Sequence, residues 1–188
     1  MEQSKHFDSI RFKKATPAER DAVLGWLEEP HIKEFWDNSP EHREDIIIFM
    51  NGRKKPTPYW DGMFDYWVGM INEEPYCLIM TSEVLRVKTS DVFAKNLPKD
   101  GRAFSLDFMI GDPNYVGKGL GATTLEAFTE YFSQQIPNIH AFMIDPADDN
   151  PRAKHVYEKA GFVTVEEFHR DVRQEKNVKH FLMVRNVR

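Results

Sequence analysis

The apolar and polar positions of this chain fall into short alternating runs and longer runs spaced by three and four, separated by turn residues. Ile10-Arg-Phe-Lys13 alternates and predicts a short first strand. Thr16-Pro-Ala-Glu19 supplies a capping hydroxyl, a proline suited to the first helical position and a glutamate three residues after the cap, so a helix is expected to about Leu27. Ser39-Pro40 repeats the start signal, and Asn51-Gly52 ends what it begins. Residues 64–71 and 76–81 read as strands of a hairpin around Asn72-Glu-Glu-Pro75. The polar stretch from Glu83 to Arg102 reads as a long functional loop.

The second half is more regular. Phe104, Leu106, Phe108 and Ile110 alternate with Ser105, Asp107 and Met109, which predicts a strand with two different faces. Gly117-Lys-Gly-Leu-Gly121 opens a helix carrying Leu125, Phe128 and Phe132 on one side. Residues 140–145 form a strand, and Asn150-Pro151 starts a helix whose apolar stripe is Ala153, Val156, Tyr157 and Ala160, ended by Gly161. Residues 163–172 and 178–184 close the chain as a strand pair. The pattern predicts an α/β (α+β) fold, a mixed sheet flanked by helices in a single domain over residues 1–188, with one strong βαβα unit at its centre.

Composition narrows the function. Of 188 residues, 41% are apolar and 13% aromatic, enough for a packed core. The net charge of −5 argues against sequence-independent nucleic-acid binding, which needs a basic face, and suits a cationic or neutral small partner. No apolar run exceeds six residues and the first residues lack a signal-peptide pattern, so no membrane association and a cytoplasmic location are expected. The single cysteine, Cys77, forms no intrachain disulfide and reads as a buried hydrophobe in Tyr76-Cys-Leu-Ile-Met80. The seven histidines show no ligand spacing, so no metal is expected.

The glycine turn carries the chemistry. A helix N-terminus preceded by glycines presents free amides and a positive dipole end, which suits a phosphate. A P-loop fails here, because five residues separate Gly111 from Gly117 and Gly119 follows Lys118 where Ser or Thr should stand. Gly117, Gly119 and Ala122 match the dinucleotide pattern, but Asp112-Pro-Asn-Tyr-Val116 intervenes between strand and glycine. A plain strand-to-helix turn explains one glycine rather than three. The remaining reading is the diphosphate of coenzyme A.

Val116-Gly-Lys-Gly-Leu-Gly121 resembles the acyl-CoA loop of the GCN5-related N-acetyltransferases (GNAT), and Asn150-Pro-Arg-Ala-Lys-His-Val-Tyr-Glu-Lys-Ala-Gly-Phe162 resembles their second motif. Val116 stands where the family usually has Gln or Arg, so backbone amides must do most of the work. The resemblance sharpens toward aminoglycoside acetyltransferases that modify the 6′-amine, chiefly from Asp107 to Phe162 and more weakly around Trp26-Leu-Glu-Glu-Pro-His-Ile-Lys-Glu-Phe-Trp36.

It implies a mostly antiparallel GNAT sheet, acetyl-CoA held by Phe108, Met109, Ile110, Val116, Gly117, Lys118, Gly119, Leu120, Gly121, Ala122 and Asn150, and a small-molecule amine acceptor. It also implies Asp107 as general base or amine anchor, Asp145 as a substrate-amine contact and Tyr157 as general acid, and Trp36 is expected, as a stacking aromatic, to be a further substrate contact. A protein N-terminus, a hydroxylysine-type siderophore precursor or a silent acyl-CoA module are the alternatives. Monomer and homodimer stay open.

Chemistry alone gives Asp107 the same role, since a carboxylate in a cleft can attract an ammonium and take its proton. Tyr157 and Asn150 also fit plain structural roles, as core filler and helix cap. Asp145, Asp148 and Asp149 read equally as an anionic wall or as favourable charge at a helix start. Trp36, Trp60, Tyr66 and Trp67 read as stacking surfaces or as core.

Overall fold

The computed structural model describes residues 10–59, 63–172 and 175–187; Trp60 and the first residues of the chain lie outside them. Strand β1 (Arg11–Lys14) leads through a 3-10 turn at Pro17–Glu19 into helix α1 (Arg20–Trp26), then α2 (Pro30–Lys33) and α3 (Pro40–Met50). The hairpin β2 (Asp65–Ile71) and β3 (Glu74–Glu83), helix α4 (Asp91–Lys95) and strand β4 (Arg102–Ile110) follow. Helix α5 (Leu120–Gln135), strand β5 (Ile139–Ile144), helix α6 (Pro151–Lys159) and strands β6 (Val163–Val172) and β7 (Glu175–Asn186) complete the chain. One seven-stranded sheet runs β1-β2-β3-β4-β5-β7-β6, and only β4 and β5 pair in parallel. No helix among the described residues is long and apolar enough to cross a membrane.

The start and stop signals act locally as expected. Glu19 accepts from the Thr16 amide at 3.1 Å and from its hydroxyl at 2.8 Å, which closes the capping box. Ser39 Oγ accepts from the His42 amide, and Asn150 Oδ1 accepts from the Ala153 amide, so both caps satisfy a first-turn donor. The hairpin is tighter than its sequence suggests. Asn72 and Glu73, with φ of 50° and 64°, form the turn by themselves. Pro75 then lies inside β3 opposite Met70, beside an irregularity in the ladder where its missing N–H is tolerated.

Each sheet face is covered. Leu125, Phe128 and Phe132 of α5 pack with Phe104, Leu106, Phe142 and Ile144 on one side. On the other, α1 and α3 bring Val23, Trp26, Ile46 and Met50 onto Tyr66, Val68, Leu78, Met80 and Met109. Cys77 is fully buried, and burial pushes its thiol up to about 12, as expected of a small hydrophobe. The segment between Glu83 and Arg102 departs from the loop reading. It forms α4, and Val84, Val92, Phe93 and Leu97 pack against Ala103, Ala141, Met143 and Leu182. Glu83 and Arg102 clamp its ends through two parallel 2.8 Å hydrogen bonds. Its apolar residues are too sparse for a five-residue helix to announce itself by periodicity.

One buried polar network ties α3 to the sheet. Asp45, 1% exposed, accepts from Thr57 Oγ1 at 2.6 Å and from Tyr66 Oη at 2.6 Å, and pairs with Arg53. Burial alone would raise its carboxyl, but the Thr57, Tyr66 and Arg53 donors outweigh this and hold it below the usual carboxylate value. Asp45→Ala strands the Arg53 charge and should lower unfolding stability by about 3–5 kcal/mol in urea titrations. Because the folded carboxyl is depressed, its stabilisation persists above pH 3.8 and is lost as pH falls through the folded value, so the variant should show a shallower acid dependence.

Candidate active site

The site lies where β4 and β5 part. Their parallel pairing spans only Arg102–Ser105 and Ile139–Met143. Beyond it, β5 continues against β7, with Ile144 opposite Met183, while β4 runs on to Ile110 held by β3 alone. Gly111 donates to the Tyr76 carbonyl at 2.9 Å, so by antiparallel alternation Met109 and Asp107 direct their main chain at β3. Phe108 and Ile110 therefore face the opening. The Ile110 carbonyl accepts from His31 Nε2 at 3.0 Å, which leaves Phe108 as the main-chain donor and acceptor at the gap. Met109 turns its side chain into the α1–α3 core, so of the three residues expected along this edge it is the one held away from the gap.

The glycine turn opens onto the same end of the sheet. Gly117 and Gly119 have φ of 74° and 76°, a left-handed conformation that glycine adopts without strain. The amides of Gly117, Lys118 and Gly119 make no hydrogen bond to the described residues, and the Lys118–Gly119 tip of the turn is exposed. Gly119 caps α5 with no side-chain bond, so the first-turn amides of this 16-residue helix stay free as well. Gly121 serves packing instead. A Cβ there would come within 2.8 Å of Val156 Cγ1, so its hydrogen lets α5 and α6 pack closely. Leu120 is buried, Val116 and Ala122 are half-buried, and Lys118 is exposed. Phe108 lies under the first turn of α5, 3.7 Å from that same Cβ position, and links the loop to the gap.

Two carboxylates meet at the parting. Extending the last paired residues, Ser105 and Met143, by two positions brings Asp107 level with Asp145, on the sheet face away from α5. Asp107 keeps an exposed side chain while the protein around it partly desolvates the carboxyl. That desolvation, followed by the Asp145 carboxylate, raises its carboxyl to about 6, with Arg170 pulling it down. Tyr157, 7% exposed, approaches from the α5 side within electrostatic reach of both acids. Burial first, then Asp107 and Asp145, drives its hydroxyl well above the usual tyrosine value, so it holds its proton at neutral pH.

Asp145 is itself held from two sides. Its carbonyl accepts from His180 Nδ1 at 2.8 Å, and Arg170 Nη2 stands 3.0 Å from its Oδ2. That approach is an ion pair without hydrogen-bond alignment, so Oδ2 is buried and unsatisfied as an acceptor. His180 is 3% exposed and its Nε2 is also without a partner among the described residues. The segment after Asp145 is pinned to β7, with Phe181 donating to Pro146 and Asp148 to Lys179. Asp148 and Asp149 point outward as exposed residues.

Trp36 sits in a column rather than on an open wall. It stacks on His42 at 5.9 Å, and His42 stacks on Tyr59 at 4.3 Å. Burial lowers the His42 imidazole, which donates from Nδ1 to the Asp37 carbonyl at 2.6 Å. The Trp36 Nε1 and His42 Nε2 atoms are buried without partners among the described residues. Tyr66 and Trp67 are core residues, 0% and 5% exposed. His180, Arg170 and Tyr59 join the site only through tertiary contact, and no spacing in the sequence marks them.

A family model described as "Acetyltransferase (GNAT) domain" matches residues 17–170. The chain belongs to the GNAT acetyltransferase family. It is an acyltransferase, and acetyl-CoA is the donor used by acetyltransferases of this family. This GNAT chain is 24% identical over 161 residues to aminoglycoside N(6')-acetyltransferase type 1 of Klebsiella pneumoniae, covering 82% of this chain and 74% of that protein. A structure of aminoglycoside N(6')acetyltransferase from Legionella pneumophila superposes with a TM-score of 0.71 at 29% identity, covering 94% of this chain and 91% of that one. AAC(6')-Ib in complex with coenzyme A and kanamycin shares the fold, with a TM-score of 0.70 at 20% identity over 95% of both chains.

The GNAT chain's own atoms suit such a donor. Uncommitted amides from Gly117 onward can meet a diphosphate, and the open edge at Phe108 can pair with an extended amide-bearing arm. Gly119→Val forces a β-branched residue into the left-handed region, although its Cβ would meet no protein atom. Coenzyme A affinity by calorimetry should fall about tenfold or more, from about 1–2 kcal/mol of backbone strain, with the circular dichroism unchanged. Undiminished affinity overturns the loop assignment.

Proposed function

We propose that this acetyltransferase modifies a primary amine of a small cationic molecule, and that the acceptor is the 6′-amine of an aminoglycoside. The observation that carries the reading is the pair Asp107 and Asp145 at the parting of β4 and β5, one of them with a carboxyl near 6. Two acidic side chains beside an opening that can admit an acyl donor suit a substrate that arrives as an ammonium ion. The names of the Klebsiella and Legionella relatives, and kanamycin in the AAC(6')-Ib complex, support the same acceptor class.

Bound acetyl-CoA supplies a thioester carbonyl as the electrophile. Asp107 draws in the ammonium and accepts its proton on a carboxylate oxygen, directly or through a water, since an amine attacks only when neutral. A carboxyl near 6 is mostly ionised at neutral pH yet a better base than an ordinary aspartate. Asp145 holds a second positive group and keeps the nitrogen oriented. Tyr157 Oη holds a proton available to the leaving sulfur.

Asp107→Asn should lower kcat by about two orders of magnitude, leave coenzyme A affinity intact and erase the rise in rate through pH 6. Unchanged kinetics remove Asp107 from the chemistry. The same variant has a stability signature. A carboxyl raised on folding stabilises the fold below the unfolded value of 3.8 and loses that contribution as pH rises through about 6. Asp107→Asn should thus raise Tm at pH 7 and change it little at pH 4. The acceptor is tested by thiol release from acetyl-CoA with kanamycin-type amines, N-terminal peptides and hydroxylysine. Turnover confined to the peptide or to hydroxylysine would falsify the aminoglycoside assignment, and no turnover with any amine marks a silent module.

A further inference from the structure

Arg170 brings a positive charge to the acidic pair that the proposed acceptor would use. It rises from β6 opposite Val178, beside an irregularity in the β6–β7 ladder, and reaches Asp145 at 3.0 Å. Asp145 is 13% exposed at its side chain and Arg170 48%, so a largely buried acceptor is matched with a half-exposed, hydrated cation. The Asp145 Oδ2 has no aligned hydrogen bond from any described residue. His180 fixes the Asp145 backbone at 2.8 Å, and its Nδ1 stands 3.5 Å from Oδ2, so the acid is anchored while its guanidinium partner is not.

We infer that Arg170 tunes acceptor specificity by acting as a displaceable countercation for Asp145, so that it competes with the second ammonium of a diamine and moderates the preference of the acidic pair for diamines over monoamines. This rests on the amine-acceptor reading above. A monoamine engages Asp107 alone, whereas a diamine or polyamine also competes with Arg170 for Asp145. An exposed arginine is suited to this exchange, because water rehydrates it on release and the pair is worth little to the fold. The charges around the two acids form one set: Asp145 and Arg170 bear on Asp107, both acids bear on Tyr157, Asp107 bears on Tyr59, and His180 lies beside Asp145.

The test uses Arg170→Gln, with Arg170→Lys as the charge-preserving control, in two measurements on the full chain. Calorimetry with kanamycin and with a singly aminated hexose should show kanamycin binding about fivefold tighter in Arg170→Gln, with the monoamine changed by less than about twofold. Carbon-detected titration of Asp107 without ligand should move its midpoint upward from about 6 in Arg170→Gln and leave it near 6 in Arg170→Lys. An unmoved Asp107 midpoint, or an equal change in affinity for both amines, overturns the proposal. A wild-type chain that acetylates no amine sinks the acceptor reading instead, and the titration still decides whether Arg170 acts on the acidic pair.

Discussion

The organising constraint of this molecule is a sheet that comes apart in its middle. A parallel pair needs its strands side by side, and β4 and β5 keep that contact for only a few residues before β5 leaves with β7. Backbone groups lost to pairing must find other partners or a ligand. One carbonyl at the opening, that of Ile110, is satisfied by His31, and Phe108 keeps its amide and carbonyl turned outward. The same break lets groups from opposite faces of the sheet sense one another, which a continuous sheet would prevent. Asp107 and Asp145 project from one face and Tyr157 comes from the α5 side, yet both carboxylates help raise the Tyr157 hydroxyl.

The parts that hold the gap open are mostly apolar and close-fitting. A Cβ on Gly111 would overlap the Trp26 indole, so α1 locks the end of β4 where the strand has lost β5. Gly121 lets α5 approach α6, which seats the free amides of the glycine turn beside the opening. On the far side, the Asp45 network fixes α3 and the segment after it to β2, and the stacked Trp36, His42 and Tyr59 rings form a rigid flank. Rigidity on both sides matters because a base or an anion site misplaced by about 1 Å loses much of its effect.

Charge is distributed with the same economy. Asp107 is raised by desolvation and by facing Asp145, and Arg170 and His180 meet Asp145 from the other direction. This network couples the Asp107 carboxyl to the β6–β7 hairpin through Asp145, although these residues lie on three separate stretches of chain.

Local signals determined much of this protein. Caps at Thr16, Ser39 and Asn150, the glycines at 117, 119 and 161 and the alternation from Phe104 to Ile110 act over a few residues, and each element formed close to where they place it. The two motifs around Gly117 and Tyr157 carried the family and the donor class, because a phosphate-binding turn needs particular backbone angles that glycine advertises. Tertiary structure alone decided the rest. The packing of α4, the two-residue turn at Asn72, the role of Gly121 as a spacer between helices and the convergence of Arg170 and His180 on Asp145 depend on strand register and helix contact. Those distances join residues far apart along the chain, so no short-range pattern can encode them.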